Sequence, residues 1–383
     1  MNAWRTGGTQ GLTPSELDAK LDMMAAQITP QAGQELSFLT LKCLQKDVTR
    51  ALPLFFDLLR QPRFDPERLQ VIKKNKITAI QRRNESSLEI ASREFLQGLY
   101  GPDSPYAWQY TEQTIAPIDT KMLLDFHARH VAPRQLIIAS TSPDPADEFW
   151  SRIKPHVAEW NHNVPDAVPP KPIEKEWTPG WAVVQKDDSQ SAIVMGHFGE
   201  KRFNPDKYKI ILANEILGGS TFGSRLGKRL RTELGLVYSL GSSFGLGTDY
   251  ESFRISTRTN AAKTLTVVNE IKNIVTEMVN RHDITDGELA AAKERILNRL
   301  VFDFEQPFKI VTGRVLYDHY GYPPNYVALY QKKIEEVTLS EINAVLGTYF
   351  FPDRFRVMIV GDLARMPDLN DKESVVEIPL DWE

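Results

Sequence analysis

Phe222, Leu226, Leu230 and Leu234 recur at four-residue intervals, the spacing of one buried stripe along a helix. Gly235 follows the stripe at once, where helices commonly end in a left-handed turn. Before the stripe, Gly218-Gly219-Ser220 reads as a Gly-rich loop behind a helix predicted over 206–217. After it, residues 237–246 alternate loosely and are rich in Gly and Ser, as a strand near a bend or a bound backbone is. Arg231 and Tyr238 stand on either side of the turn, so both can face one space.

The wider pattern repeats. Phe64-Asp65-Pro66-Glu67-Arg68-Leu69 opens one long helix and Ile284-Thr285-Asp286-Gly287-Glu288-Leu289 opens another, each with Asp or Thr ahead of a Glu in the first turn. Leu99-Tyr100-Gly101-Pro102 is echoed by His319-Tyr320-Gly321-Tyr322-Pro323. Ala132-Pro133-Arg134 before an apolar run at 136–139 is echoed by Phe351-Pro352-Asp353-Arg354 before 357–360, and Gly7-Gly8 by Gly218-Gly219. Landmarks in one order predict an internal duplication. Each copy runs helix, Gly-Gly loop, helix, two strands, helix, long helix, helix, strand. That is an α+β arrangement of two tandem homologous domains, each an antiparallel sheet backed by helices.

In the first copy, helices are predicted at 13–24, 48–59 and 66–83 and a strand at 36–41, with Thr13 as N-cap and Pro14 at the first helical position. Strands predicted at 181–184 and 191–195 have no counterpart in the first copy, so the first domain is expected to lack its leading strands. Pro165, Pro169, Pro170, Pro172 and Pro179 mark an extended linker. The expected boundaries are 1–160 for the first repeat, 161–180 for the linker, 181–370 for the second repeat and 371–383 for a C-terminal tail.

A chain of 383 residues exceeds what one core usually serves, which agrees with two domains. Its 42% hydrophobic and 25% charged residues are ordinary for a globular protein. A formal net charge of −4 without any Lys/Arg run gives no nucleic-acid signature. No segment approaches the roughly twenty apolar residues of a membrane span. Cys43, the sole cysteine, excludes an internal disulfide and a Cys-built metal cage; it lies in a predicted strand and reads as a small buried hydrophobe. Residues 1–8 do not resemble a signal peptide. The expected compartment is cytoplasmic for the chain as given, and periplasmic if a signal segment lies upstream.

The stretch from Gly218 to Tyr238 resembles the Arg/Tyr element of the insulinase/pitrilysin-type zinc peptidases, the family of mitochondrial processing peptidase and its bacterial two-subunit relatives. Arg231 and Tyr238 lie seven positions apart behind Gly218-Gly219, with Leu234-Gly235 between them. In that family the C-terminal half, or a separate partner subunit, carries this pair. The family's zinc motif, H-x-x-E-H, occurs nowhere in the sequence. Such a site needs two His on one helical face, a Glu beside them and a third ligand from another helix. The motif's place falls on the helix ending around Trp4, mostly upstream of Met1. The third ligand's place falls on or beside Ala79, where Thr78-Ala79-Ile80-Gln81 offers no carboxylate.

The resemblance therefore implies a non-catalytic subunit with no metal ligands and no cofactor of its own. Its partner would be a homologous subunit that carries H-x-x-E-H and the zinc, and the two would enclose peptides or small proteins. Tyr238 would stabilise the oxyanion of peptide hydrolysis. Arg231 would hold a substrate carbonyl or carboxylate through its planar fork, and Gly218-Gly219-Ser220 would let backbone approach the peptide. The alternative is an inactive scaffold or peptide-binding protein of the same fold, like the core subunits of respiratory complexes. On the residues alone, Arg225, Lys228, Arg229 and Arg231 also read as cations at a helix C-terminus, and Tyr238 as an ordinary strand aromatic.

Other chemistries lack parts. His127 and His130, on a helix predicted over 122–130, have no Asp, Glu or Cys spaced to complete a metal set and read as polar face and helix-end charge. His197 reads as a satisfied, partly buried side chain. Neither a G-x-S-x-G elbow nor a P-loop nor a Rossmann fingerprint occurs. Asp187-Asp188 and Glu335-Glu336 read as solvated charge.

Overall fold

Helices start where the sequence places caps. Thr13 and Glu16 close a capping box ahead of Pro14, Asp65 accepts from the N–H groups of Glu67 and Arg68, and Thr285 and Glu288 close a second box. The computed structural model describes residues 1–158, 160–165, 168–366, 369 and 375–380.

In the N-terminal half, α1 (Asn2–Thr6) and α2 (Pro14–Asp22) precede a hairpin of β1 (Gln27–Ala32) and β2 (Ser37–Lys42). Six helices follow: α3 (Val48–Arg60), α4 (Pro66–Gln81), α5 (Ser87–Tyr100), α6 (Glu112–Ile115), α7 (Thr120–His130) and α8 (Ala146–Ala158). The C-terminal half begins with β3 (Gly180–Gln185), β4 (Gln190–Phe198), β5 (Glu200–Lys201) and α9 (Lys207–Leu217). After a π-helix come β6 (Val237–Phe244), β7 (Leu246–Gly247), β8 (Ser252–Asn260), α10 (Thr264–Arg281), α11 (Asp286–Val301), α12 (Pro307–His319), α13 (Tyr326–Glu336) and α14 (Leu339–Tyr349). β9 (Arg356–Gly361) and β10 (Val375–Glu377) close the chain.

The main sheet has the order β10-β3-β9-β4-β8-β6. β3 runs parallel to β10 and β9, whereas β4 is antiparallel to β9 and β8, and β8 to β6. The expected antiparallel sheet is therefore mixed. The cause is the return of β9 after the helices α10 to α14, a crossover long enough to bring it in alongside β3 in the same direction. β10 lies within the expected tail; residues 371–374 and 381–383 of that tail lie outside the described residues.

Both faces of this sheet are covered, and its central strands are accordingly apolar on both sides. Val183, Ile193, Met195, Val357 and Ile359 face α9, α10 and α14. Val184, Val194, Met358 and Val360 face α5, which comes from the other half and buries Ile90 and Phe95 completely. Burial of each such side chain contributes roughly 2 kcal/mol, so α5 is a main tie between the halves. Ser87 Oγ, at its start, donates to Asp188 Oδ2 at 2.8 Å. Asp188 is thus a tether rather than solvated charge, and the N–H of Gln190 chiefly holds its carboxyl below the usual range.

Among the described residues the sheet structure of the N-terminal half is its hairpin, in register from Gln27↔Lys42 to Ala32↔Ser37 and packed on Leu17, Leu21 and Leu58. The strand expected at 136–139 does not form: Ile137 and Ile138 are 48% and 42% exposed. A lone strand leaves its backbone groups without partners, and no counterpart of β3 or β4 stands beside it among the described residues.

His197, at the end of β4, is fully buried rather than partly so. Nδ1–H donates to Phe198 O at 2.6 Å and Nε2 accepts from Phe351 N–H at 3.2 Å, which fixes a neutral imidazole. Burial pushes its pKa down to about 3. The unfolded chain takes up a proton below about pH 6.5, while the folded one resists until near 3. Stability from this residue is present above that window and is lost as pH falls through it. Replacing His197→Gln should flatten the fall in unfolding free energy between about pH 6 and 4.5 by about 1.4 kcal/mol per unit, read from urea melts. Parallel profiles for parent and variant would contradict a neutral buried ring.

Candidate functional site

α9 ends in Gly218-Gly219, and the loop takes its shape from what lies beneath it. Glu215, on the last turn of α9, is 3% exposed. Its carboxylate accepts from Arg295 Nε at 2.8 Å and Arg299 Nη2 at 3.1 Å, on successive turns of α11. Gly219 rests directly on this group: a Cβ there would stand 2.5 Å from Glu215 Oε2, and one on Gly218 would stand 2.5 Å from Ser242 Oγ. Only glycine permits both approaches. Gly218 O accepts from Ser242 N–H at 2.9 Å, and Asn214 Nδ2 donates to Ser242 O at 3.3 Å. The loop is thereby bonded to β6, an edge strand of the sheet. Ser220 Oγ accepts from Gly223 N–H at 3.2 Å and fixes the next turn.

Gly227–Glu233 is π-helical rather than α-helical, and the wider turn shifts the phase of the side chains. The predicted stripe is split, since Phe222 stands in the turn ahead of the helix and Leu234 beyond the π-helical segment. Leu226 and Leu230 are fully buried, while Phe222 and Leu234 are 65% and 37% exposed. The helix stops as its sequence predicts, with Gly235 at φ +59°. Beyond it, the register of β6 against β8 slips between Val237 and Leu240, and at this bulge Tyr238 projects outward with 84% of its surface exposed.

These two irregularities bring Arg231 between two rings. Its Cζ lies 4.1 Å from the centroid of Phe222 and 5.0 Å from that of Tyr238, within the range of cation–π attraction. Neighbouring cations are engaged elsewhere: Arg225 with Asp283 and Glu288, Arg229 with Glu233 and Glu270. Arg231 has no carboxylate at ion-pair distance among the described residues. A guanidinium edge and a phenol thus share one exposed surface, a pair of donors suited to a carbonyl or carboxylate. Phe222 belongs to this group, although its spacing reads as core.

Among the described residues, no three His, Cys, Asp or Glu are grouped so as to hold an ion, and Ala79 is an exposed methyl on α4. His127 is a buried ring rather than part of a polar face. Its Nε2 lies 2.8 Å from Leu59 O, Trp4 packs edge-on at 5.0 Å, and burial lowers its pKa. His130 instead packs on Phe126 at 4.4 Å.

With this Gly-Gly loop and Arg/Tyr pair in place, the chain can be set beside known proteins. Residues 117–296 match the family model described as the peptidase M16 inactive domain, so the likeness to insulinase/pitrilysin-type peptidases, on their non-catalytic side, is shown. The chain is 22% identical to "Uncharacterized zinc protease YmxG" of Bacillus subtilis, across 94% of this chain and 87% of the relative. It is 24% identical to "Non-peptidase homolog YmxG" of Helicobacter pylori, across 88% and 77%. Its fold matches a peptidase M16 inactive domain from Pseudomonas fluorescens with a TM-score of 0.83, at 23% identity over 94% of this chain and 87% of that one. A protease from Helicobacter pylori matches with a TM-score of 0.81, at 16% identity over 94% and 88%. These names fit an inactive member of the family.

The Glu215 cluster makes a direct prediction. Glu215→Gln keeps the shape but leaves two guanidinium groups without their anion, and should lower unfolding stability by about 3 kcal/mol. Thermal melts of parent and variant that coincide would show that the cluster does not hold the loop.

Proposed function

We propose that this chain is the non-catalytic subunit of a two-chain zinc peptidase. The observation that carries this reading is Arg231 held between Phe222 and Tyr238, with no carboxylate at ion-pair distance among the described residues and the phenol exposed. The partner is a homologous subunit bearing H-x-x-E-H, which supplies the zinc. This chain supplies a wall of the substrate space. Tyr238 donates a hydrogen bond to the peptide carbonyl oxygen as it becomes an oxyanion, and Arg231 fixes a neighbouring carbonyl or carboxylate of the substrate. The Gly218-Gly219-Ser220 loop lies beside the bound peptide backbone. We further take residues 1–160 and 181–370 as two homologous units joined by 161–180, with 371–383 as a tail.

A second reading draws on the printed name of the Helicobacter pylori relative, a non-peptidase homolog: a scaffold or peptide-binding protein without a catalytic contribution. The two separate on one measurement. In a complex with the zinc-bearing partner, Tyr238→Phe should lower kcat by about a hundredfold or more with assembly unchanged, and Arg231→Gln should chiefly raise KM. Full activity of the Tyr238→Phe complex would refute the assisting role and favour the scaffold.

A further inference from the structure

Two hollows lie apart from the Arg231–Tyr238 surface. One, of about 670 Å³, opens between the turn after β1 and the C-terminal half; Arg202 and Tyr320 line it and also line the second, of about 330 Å³, beside α11, α12 and α13. The second hollow is amphipathic. Ile296, Leu300, Leu316 and Val327 give it apolar wall. Tyr317, Tyr320, Tyr322, Tyr326 and Tyr330 supply the remainder, and their rings brace one another: Tyr322 stacks on Tyr326 at 4.0 Å, and Tyr317 meets Tyr326 edge-on at 4.9 Å. Burial pushes the phenol of Tyr330 up to about 12 and raises those of Tyr317 and Tyr326, so these walls carry neutral hydroxyls.

Two guanidinium groups border the same space. Arg299 gives one N–H to Glu215, yet its side chain is 61% exposed. Arg202 lies flat on Tyr320, its Cζ 3.6 Å from the ring centroid; that ring's hydroxyl donates to Glu35 Oε2 at 2.6 Å, and Arg202 Nη2 makes a longer ion pair with the same oxygen at 3.6 Å. Behind them stand Arg295 on Glu215, and Lys207, whose Nζ lies 3.4 Å from Tyr326 Oη. The carboxylates in reach are Asp303 in the wall, Glu215 and Glu35. Four cations against three carboxylates leave the site one positive charge in excess.

We infer that this hollow receives the C-terminal end of a peptide. The last side chain, apolar or aromatic, enters among the tyrosines, and the terminal carboxylate meets Arg299 and Arg202. Asp303 offers an acceptor for the amide N–H of that last residue. About 330 Å³ is at the small end of ligand pockets and fits one residue with its carboxylate rather than a longer segment. Capture of a terminal carboxylate is a recurrent mode of peptide recognition, and arginine suits it because its planar fork matches the two oxygens. Arg299 links this pocket through Glu215 to Gly219, so a peptide end bound here is anchored next to the proposed substrate surface. The inference rests on the reading that this chain handles peptides, but not on a catalytic partner.

Fluorescence anisotropy on the isolated chain tests it, with a labelled pentapeptide ending in Phe as the free acid, as its C-terminal amide, and as an amide carrying an internal Glu. The free acid should bind about ten- to a hundredfold tighter than the plain amide. Arg299→Gln should bring the acid to the level of the amide, and Val327→Trp, which fills the apolar wall, should remove both. Equal affinity for acid and amide overturns the inference, as does an internal-Glu amide that binds as well as the acid. The peptide arms need no variant, so loss of folding in Arg299→Gln leaves the test standing. Because no partner is present, a negative result here leaves the partner-dependent activity to its own experiment.

Discussion

A carboxylate almost cut off from water sits under the Gly-Gly loop, and much of the surrounding geometry follows from satisfying it. An unpaired charge at that depth costs several kcal/mol. Glu215 avoids this through Arg295 and Arg299, which fastens α11 to α9 in one relative position. With the two helices fastened, the chain leaving α9 has space only for hydrogen atoms over the carboxylate, hence Gly219, and only for glycine against Ser242, hence Gly218. The loop then bonds to β6 through Ser242. The strand that carries Tyr238 is therefore positioned by a salt bridge on the far side of the loop.

On the proposed reading of two homologous units, this ion pair has a further meaning. α4 starts at Pro66 and α11 at Asp286; counted from these first residues, Arg299 stands where α4 has Ala79 and Arg295 where α4 has Asn75. By resemblance, the third metal ligand of an active relative would fall on or beside Ala79. In the second copy the same meeting of helices, the one before the Gly-Gly loop and the long one after it, is filled by guanidinium and carboxylate. A bound cation and an arginine answer one requirement, neutralising charge on the helix ahead of the loop. The first copy offers an exposed methyl there and meets neither.

Much of the fold was legible because its determinants are local. Thr13, Asp65 and Thr285 cap helices where their side chains predict, the apolar runs at 181–184, 191–195 and 357–360 became β3, β4 and β9, and Gly235 adopts its left-handed turn. What depends on distant partners was not legible: the direction of β9 beside β3, the passage of α5 onto the sheet of the other half, and the absence of a strand at 136–139. At the site, spacing placed Arg231 and Tyr238 at the two ends of one turn. It misassigned Phe222, since a residue four positions before Leu226 looks the same whether it stands in the helix or in the turn ahead of it. The Glu215 cluster joins residues eighty apart; its only local signal was a pair of arginines at i and i+4 on a long helix.

Arg231 and Tyr238 are held by different means, and the difference bears on how a ligand can approach. Arg231 is steadied by two aromatic faces, each worth roughly 0.5–1 kcal/mol at an exposed position; this aligns the guanidinium plane without occupying its N–H edge. Tyr238 has the same guanidinium over its ring and is otherwise positioned by backbone. It rides on β6, whose outward edge would otherwise invite any extended chain to pair along its length. The protein's own loop occupies that edge at Ser242, and the bulge between Val237 and Leu240 breaks the ladder on the other side of Tyr238's neighbours. An incoming backbone is thereby denied a long run of strand pairing. It must be recognised through the donors at Arg231 and Tyr238, which favours short contacts made at a reacting bond over continuous annealing to the sheet.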